Sequence, residues 1–328
     1  MENYYTKPFH ELQGLDEIRL GKIEQGLGIG VEAFDNHIKW KQGQFNMVNG
    51  HDNVGKTDVL LWYFVCMSKL HGKKHLIYSS ENTVRSQVFK IFNFWTGRRL
   101  DKDYTIDDRG FQHTLNEISD YFEFIPNDKR YTAYDILDIA SKKHHDGLLV
   151  DPFNSLMTET NNKHQEDYDI CANLRIFAEQ NNTTVFVNAH LVTQAARNRN
   201  RYPKDHIYEG HLASPEKADT EGGQKFANRS DDFFTIHRMT QHPERWNIGE
   251  LHVRKVKETI TGGCVTPRDK PIELRWVNHC AYIIDNQNPL EHTYDKQPEQ
   301  LELIKTKEHQ NMSRMSYGND DFDNNLPF

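Results

Sequence analysis

One glycine-bearing segment constrains the fold more than any other feature of the chain. Residues 50–57 read GHDNVGKT and match the pattern G-x-x-x-x-G-K-[ST] in full. An apolar run at residues 45–49 precedes the segment, and an apolar run of helical length at residues 59–70 follows it. A strand that enters such a loop and continues as a helix predicts an α/β protein with a phosphate-binding loop at the strand end.

The chemistry of phosphate binding explains the spacing of this motif. Glycines let backbone N–H groups curl around phosphate oxygens, and the helix N-terminus adds partial positive charge. Lys56 is predicted to contact the β- and γ-phosphates, and the Thr57 hydroxyl to hold Mg²⁺. We therefore predict a site for ATP and Mg²⁺, and an ordinary glycine turn before a helix is the alternative. The predicted nucleotide-binding residues are Gly50, His51, Asp52, Asn53, Val54, Gly55, Lys56 and Thr57.

Candidate strands and helices alternate up to about residue 230. The candidate strands are 45–49, 75–80, 122–126, 147–151 and 183–188, and the candidate helices are 59–70, 84–95, 133–142 and 168–180. This alternation predicts a mainly parallel sheet flanked by helices. Residues 232–237, 249–256 and 272–276 then read as strands joined by turns, which predicts an antiparallel extension of the sheet.

Length and charge set limits on domains and partners. The 328 residues suit one large core with appendages. We predict an N-terminal arm or linker at 1–25, the α/β core at 26–285, and an acidic, largely disordered tail at 286–328. Without a long apolar run or a signal peptide, we expect no membrane association and a cytoplasmic location. The net charge of −8 means that DNA binding would need a local basic surface.

Three polar residues at predicted strand ends complete the candidate site. Asp151 ends the apolar run 147–151 and is predicted to hold Mg²⁺, with a strand-ending turn aspartate as the alternative. Glu81 follows the second strand and is a candidate for polarising the attacking water, unless it is a carboxylate that starts the next helix. His190 follows another strand and is a candidate γ-phosphate contact, with a solvated loop histidine as the alternative.

Together these elements resemble the DnaB-type replicative helicases, especially the helicase domains of phage and mitochondrial replication proteins. The resemblance covers residues 22–285 and rests on the P-loop and on segments 26–35, 41–45, 78–81, 148–151, 188–191, 218–234 and 252–257. It implies a RecA-like P-loop NTPase core and a homo-hexamer that binds single-stranded DNA. It also implies that Lys56, the base Glu81 and the sensor His190 catalyse ATP hydrolysis.

The resemblance further implies that one strand sends basic residues into a neighbouring subunit's ATP site. The candidates for this finger are Arg254, Lys255 and Lys257. The family's arginine finger falls at Lys257, and a lysine supplies charge without the bidentate fork of a guanidinium. A solvated strand face is the alternative.

Two loops are implied to face the DNA, at residues 155–166 and 193–211. The second contains Arg197, Arg199, Arg201 and Lys204 with Tyr202 between them. Basic residues with an aromatic side chain suit the backbone and bases of a single strand. A basic surface loop without function is the alternative.

The chain ends in DDFDNNLPF, which resembles the acidic tip of bacterial single-strand binding proteins. Acidic residues would steer the tip to a basic partner while the terminal phenylalanine fills a pocket. We therefore predict that the tip docks replication proteins, with a generic disordered tail as the alternative. The predicted docking residues are Asp320, Asp321, Phe322, Asp323, Leu326, Pro327 and Phe328.

The sequence thus favours an ATP-dependent DNA helicase of phage replication, acting in the bacterial host cytoplasm. A RecA-like recombination or single-strand annealing ATPase, or an ATP-dependent loader, is the alternative. Processive unwinding of a forked duplex would separate the helicase from these other two.

Overall fold

A computed structural model describes residues 7–22, 25–102, 106–158, 163–192, 201–221 and 224–290. The strands are β1 (Phe45–Asn49), β2 (His75–Ser79), β3 (Phe122–Ile125), β4 (Gly147–Asp151), β5 (Thr184–Asn188), β6 (Asp232–Arg238), β7 (Ile248–Lys255), β8 (Ile272–Val277) and β9 (Ala281–Ile283). The α-helices are α1 (Leu12–Arg19), α2 (Glu32–Asp35), α3 (Lys56–His71), α4 (Val84–Thr96), α5 (Asp108–Ser119), α6 (Ala133–Ser141), α7 (Lys163–Asn181) and α8 (Gln224–Arg229). Short 3₁₀ turns lie at Pro8–Glu11, Phe153–Ser155, Lys217–Asp219 and Thr259–Thr261.

The strands form one sheet in the order β3-β2-β4-β5-β1-β6-β7-β8-β9. Strands β1 to β6 pair in parallel, and β7, β8 and β9 extend the sheet with antiparallel pairs. The predicted α/β fold class, a mainly parallel sheet with an antiparallel extension, is therefore confirmed. Strand β1, which leads into the P-loop, lies in the interior of the sheet between β5 and β6.

Alternating side chains of the strands build a hydrophobic core on each face of the sheet. In β1, Val48 belongs to the core on the face covered by α3 and α4, while Met47 belongs to the opposite core, which includes residues of α6, α7 and α8. In β5, Phe186 and Val187 divide between the same two cores. Helices on both faces explain why these central strands are apolar at nearly every position.

Helix α3 is held at both ends by glycine and is buried over most of its length. Gly55 precedes its first residue with φ of +94°, and Gly72 ends it with φ of +69°. Buried residues occupy Val59 to Ser68 without a break. The helix is buried on all sides because it runs between the sheet, α4 and β9.

Two elements were not predicted from the sequence. Helix α5 is polar, with Phe111, Leu115 and Ile118 spaced four and three residues apart as its apolar stripe. Strand β9 has only three residues and pairs with β8 through a short turn. The compact unit ends at Leu290, and buried Ile284 forms an isolated bridge with Gln287, so ordered structure passes the predicted core boundary at residue 285. Within the described ranges, no helix is long and apolar enough to cross a membrane.

Candidate nucleotide site

The carboxyl ends of four parallel strands meet at one edge of the sheet. The P-loop, residues 50–55, follows β1, and Asp151 is the last residue of β4. Glu81 follows β2 and His190 follows β5. Because these strands are parallel members of one sheet, all four predicted features lie on the same side of it, where α/β sheets bind ligands.

The two glycines of the P-loop are required by its geometry. A Cβ added at Gly50 would lie 2.2 Å from the carbonyl oxygen of Ile236 on neighbouring β6. Gly55 adopts a left-handed conformation that side chains disfavour. The Lys56 ammonium donates to the carbonyl oxygens of Gly50, at 3.0 Å, and His51, at 2.9 Å, and so lies inside the loop.

Charged groups around the Lys56 ammonium act on it in opposite directions. Burial lowers the pKa of Lys56, while the carboxylates of Asp52, Asp151 and Glu81 raise it. The lysine is 8% exposed as a residue. A buried ammonium surrounded by the loop backbone is suited to bind phosphate oxygens.

Asp151 is held by two polar neighbours at the bottom of the site. The Thr57 hydroxyl donates to one carboxylate oxygen, Oδ2, at 2.8 Å, and the Asn188 amide donates to the other. Burial raises the pKa of Asp151, and these two hydrogen bonds oppose that shift. The role of Asn188, the last residue of β5, was not predicted, although strand-end asparagine beside the aspartate strand is a recognisable signal.

Thr57 and Asp151 fit a magnesium ion by the chemistry of their oxygen atoms. Mg²⁺ prefers one or two carboxylate or hydroxyl ligands together with phosphates and water. In the part of the chain that the structure describes, no cluster of three or more His, Cys, Asp or Glu side chains could hold a metal by itself. A magnesium ion here would therefore depend on oxygens from a bound nucleotide.

The predicted base and the predicted sensor contact each other directly. Nε2 of His190 lies 3.0 Å from Oε1 of Glu81, and Nδ1 of His190 lies 3.9 Å from Oδ1 of Asp52. The backbone N–H of His190 donates to Oδ1 of Asn154, which fixes the chain after β5. The Glu81 side chain remains about half exposed, so it is open to solvent at the site.

An arginine at the rim of the P-loop was missed by the sequence reasoning. Arg238 ends β6, and its Nη2 donates to the carbonyl oxygen of Asn53 at 2.9 Å. Its guanidinium carbon lies 5.0 Å from the centroid of the Trp276 ring. The only sequence signal was an arginine at the end of a strand that follows the sensor strand.

His51 ties the P-loop to a segment, residues 213–216, that follows the predicted DNA loop. Its Nε2 lies 3.2 Å from the carbonyl oxygen of Ala213, and burial lowers the pKa of this histidine. Arg254 holds the same segment, donating to Oγ of Ser214 at 2.9 Å. The Arg254 side chain is only 12% exposed, so this finger candidate is engaged within its own chain.

The other two finger candidates lie at the opposite edge of the sheet. Strand β7 is antiparallel to β6, and Lys255 pairs with Phe233 near the start of β6. The Lys255 ammonium donates to the carbonyl oxygens of Ala227 and Ser230, whereas the Lys257 ammonium lies 3.1 Å from Oδ1 of Asp231. Neither lysine is placed to reach the P-loop of its own chain.

Part of the predicted DNA loop is described. Arg201 donates to the carbonyl oxygen of Gly210, and the Tyr202 ring stacks on His206 with centroids 4.3 Å apart. Lys204 is exposed. Arg197, Arg199 and the tail residues 320–328 lie outside the described residues, so their roles stay predictions.

Solved structures with the same arrangement of strands and helices are helicase domains. The ATPase domain of one DnaB-like helicase matches with a TM-score of 0.66 and 14% identity, over 85% of this chain and 99% of that one. A second DnaB-like replicative helicase, described with its interactions with primase, matches with a TM-score of 0.64 and 14% identity, over 85% of this chain and 67% of that one. The chain has the fold of a RecA-like helicase ATPase domain. No protein-family model and no curated protein sequence matches it.

Proposed function

We propose that this chain is an ATP-dependent DNA helicase of the DnaB type. In this role it couples ATP hydrolysis to movement along single-stranded DNA and to duplex unwinding. The observation that carries the proposal is the convergence of the P-loop, the Thr57–Asp151 pair and the Glu81–His190 pair at one sheet edge. The helicase-domain fold supports the same function.

The side chains divide the work of hydrolysis among them. Lys56 binds the β- and γ-phosphates, while Thr57 and Asp151 hold Mg²⁺. The bound ion neutralises charge on the phosphate oxygens. Glu81 orients the attacking water and accepts its proton, which is the task of a general base.

His190 links phosphate binding to the base. Its Nε2 contacts Glu81 at 3.0 Å, and the same ring nitrogen is the group that would donate to a γ-phosphate. We propose that a γ-phosphate competes with Glu81 for His190 and frees the carboxylate to act on water. Hydrolysis would then start only when the site holds a triphosphate.

The proposal includes partners beyond the nucleotide. Arg201 and Lys204, with Arg197 and Arg199, bind single-stranded DNA, and copies of the chain assemble as a homo-hexamer. The acidic tip at 320–328 docks a replication protein. A phage source and a role in phage replication rest on the resemblance of the sequence motifs alone.

The decisive experiment measures ATP hydrolysis with and without single-stranded DNA, together with unwinding of a forked duplex. We expect DNA to stimulate hydrolysis and the forked duplex to be unwound only when ATP and Mg²⁺ are present. Stimulated hydrolysis without unwinding would replace the helicase with a recombination ATPase or a loader. A protein that neither binds nor hydrolyses ATP would contradict the proposal.

A further inference from the structure

A cavity of about 490 Å³ opens at the amino edge of the parallel strands, away from the P-loop. It lies beside the first residues of β1 and the segment that follows β7. Its charged lining residues are Lys41, Lys73, Arg175, Glu179, Asp231, Lys257 and Glu258. Lys73 pairs with Asp146, and Lys41 donates to the carbonyl oxygen of Glu258, so both of these lysines are engaged locally.

The remaining two cations share a single oxygen atom. Nη2 of Arg175 lies 3.3 Å from Oδ1 of Asp231, and the Lys257 ammonium lies 3.1 Å from the same oxygen. The side chains of Arg175 and Lys257 are 37% and 38% exposed, whereas Asp231 is 8% exposed. A buried carboxylate thus holds two cations whose outer faces remain accessible to another molecule.

Asp231 does not depend on either cation for its position. Its Oδ2 accepts the Phe45 backbone N–H at 3.0 Å, and its own N–H donates to the Phe45 carbonyl at 2.7 Å. The carboxylate is therefore part of the β1–β6 junction. Arg175 and Lys257 can leave it for a stronger anion without disconnecting that junction.

We propose that Arg175 is a catalytic residue that acts, with Lys257, on the nucleotide held by a second copy of this chain. Both cations leave Asp231 and contact the phosphate oxygens of that nucleotide. Arg175 supplies the planar, bidentate fork that Lys257 lacks. The inference rests on the proposed function, because it requires a hydrolysed nucleotide at the neighbour's P-loop.

The placement of these residues determines why the action has to be between copies. The cavity lies at the amino edge of the sheet, and the P-loop lies at the carboxyl edge of the same strands. Arg175 therefore cannot reach the nucleotide of its own chain. A heterologous interface, in which the amino edge of one copy meets the carboxyl edge of the next, brings the two together.

The first test compares single variants in DNA-stimulated hydrolysis. We expect Arg175→Ala to lower kcat by about 10²-fold or more, with KM for ATP changed less than about threefold, since the P-loop is intact. Arg175→Lys should recover only part of the loss, because the charge returns without the fork. Thermal unfolding of both variants checks that the junction at Asp231 is preserved.

The second test asks which copy the arginine serves. Glu81→Gln chains bind ATP without turnover but keep both cations, so they are mixed with Arg175→Ala chains of a different tag. If Arg175 acts between copies, the mixture should recover toward about a quarter of the wild-type rate, because one interface in four pairs an intact site with intact cations. Arg238→Ala is the matched control, since Arg238 contacts its own chain's P-loop and mixing should not restore it.

Each outcome decides the inference separately from the proposed function. Recovery on mixing, with no recovery for Arg238→Ala, supports Arg175 as a residue that acts between copies. Wild-type kcat in Arg175→Ala, no recovery in chains shown to co-purify, or failure of the tagged chains to co-purify would overturn it. Absence of hydrolysis by the wild-type chain would instead contradict the proposed function.

Discussion

The two edges of the sheet present their charged groups in different ways. At the carboxyl edge, Thr57, Asp151 and Asn188 bond to one another, and Glu81 bonds to His190. At the amino edge, two partly exposed cations share one buried carboxylate beside an open cavity. One edge holds a connected set of groups around the P-loop, while the other holds cations with no phosphate-binding loop of their own.

This difference indicates what a single chain can do alone. The carboxyl edge has the residues to bind a nucleotide, place a magnesium ion and orient a water molecule. The amino edge has cations whose charge would be useful only against an anion brought from outside. The comparison would fail if a single chain proved fully active without a neighbour, and the following predictions test its two sides.

The largest effect is expected at the carboxyl edge, for Lys56→Ala. The variant removes the ammonium that lies inside the P-loop, so kcat/KM for ATP should fall by at least about 10³-fold. Lys90→Ala is the matched control, since it removes an ammonium of α4 that pairs with Asp58 on the P-loop helix. Steady-state hydrolysis measures both, and near-normal turnover of Lys56→Ala would refute the site.

Glu81→Gln should separate binding from turnover at the same edge. The amide keeps the shape of the side chain but cannot accept a proton, so kcat should fall by about 10²- to 10³-fold. ATP affinity should be unchanged, which fluorescence titration with a labelled nucleotide would measure. A variant that loses binding and turnover equally would show that Glu81 supports the loop rather than activating water.

The sequence predicted the carboxyl edge well because short local patterns encode it. The P-loop is a continuous motif, and Asp151, Glu81 and His190 each lie at or just after the end of an apolar strand. Parallel pairing then places all strand ends on one side, whatever the order of the strands. The fold class followed from the same alternation of strands and helices.

The amino edge could not be predicted in this way. Arg175 lies in the middle of a polar helix, and Asp231 and Lys257 come 56 and 82 residues after it. Only strand pairing between β1 and β6, and the antiparallel return of β7, bring them to one place. Their approach is a tertiary event that leaves no spacing in the sequence.

The edges should also differ from solvated surface in their response to acid. His75 begins β2 at the amino edge, is fully buried and stacks on Phe64 with centroids 4.3 Å apart. Burial lowers the pKa of His75 to about 3, and that of His237 near the carboxyl edge to about 4. The unfolded rings take up a proton below pH 6.5, so the stability from each is lost as pH falls from there toward its folded pKa.

We therefore expect His75→Phe to remove part of the acid sensitivity of the fold. Between about pH 7 and about pH 4.5 the neutral, buried ring costs about 3 kcal/mol of unfolding free energy, and the variant should not show this loss. Denaturant unfolding at the two pH values measures it. His113→Gln, at an exposed histidine of α5, is the control and should keep the wild-type pH dependence, as would His75→Phe if the assignment is wrong.

The smallest effect is expected for Arg238→Ala, which tests whether the carboxyl edge needs an arginine of its own. Arg238 touches the P-loop through Asn53 and lies over Trp276, a position that suits a flat cationic surface for a nucleobase. Such stacking is worth about 1 kcal/mol, so KM for ATP should rise by about fivefold to tenfold with kcat unchanged. Arg275→Ala, at an exposed neighbour on β8, should leave both constants unchanged. A large fall in kcat instead would make Arg238 a cation that assists hydrolysis within its own chain. The carboxyl edge would then be complete by itself, and the cations of the amino edge would need another explanation.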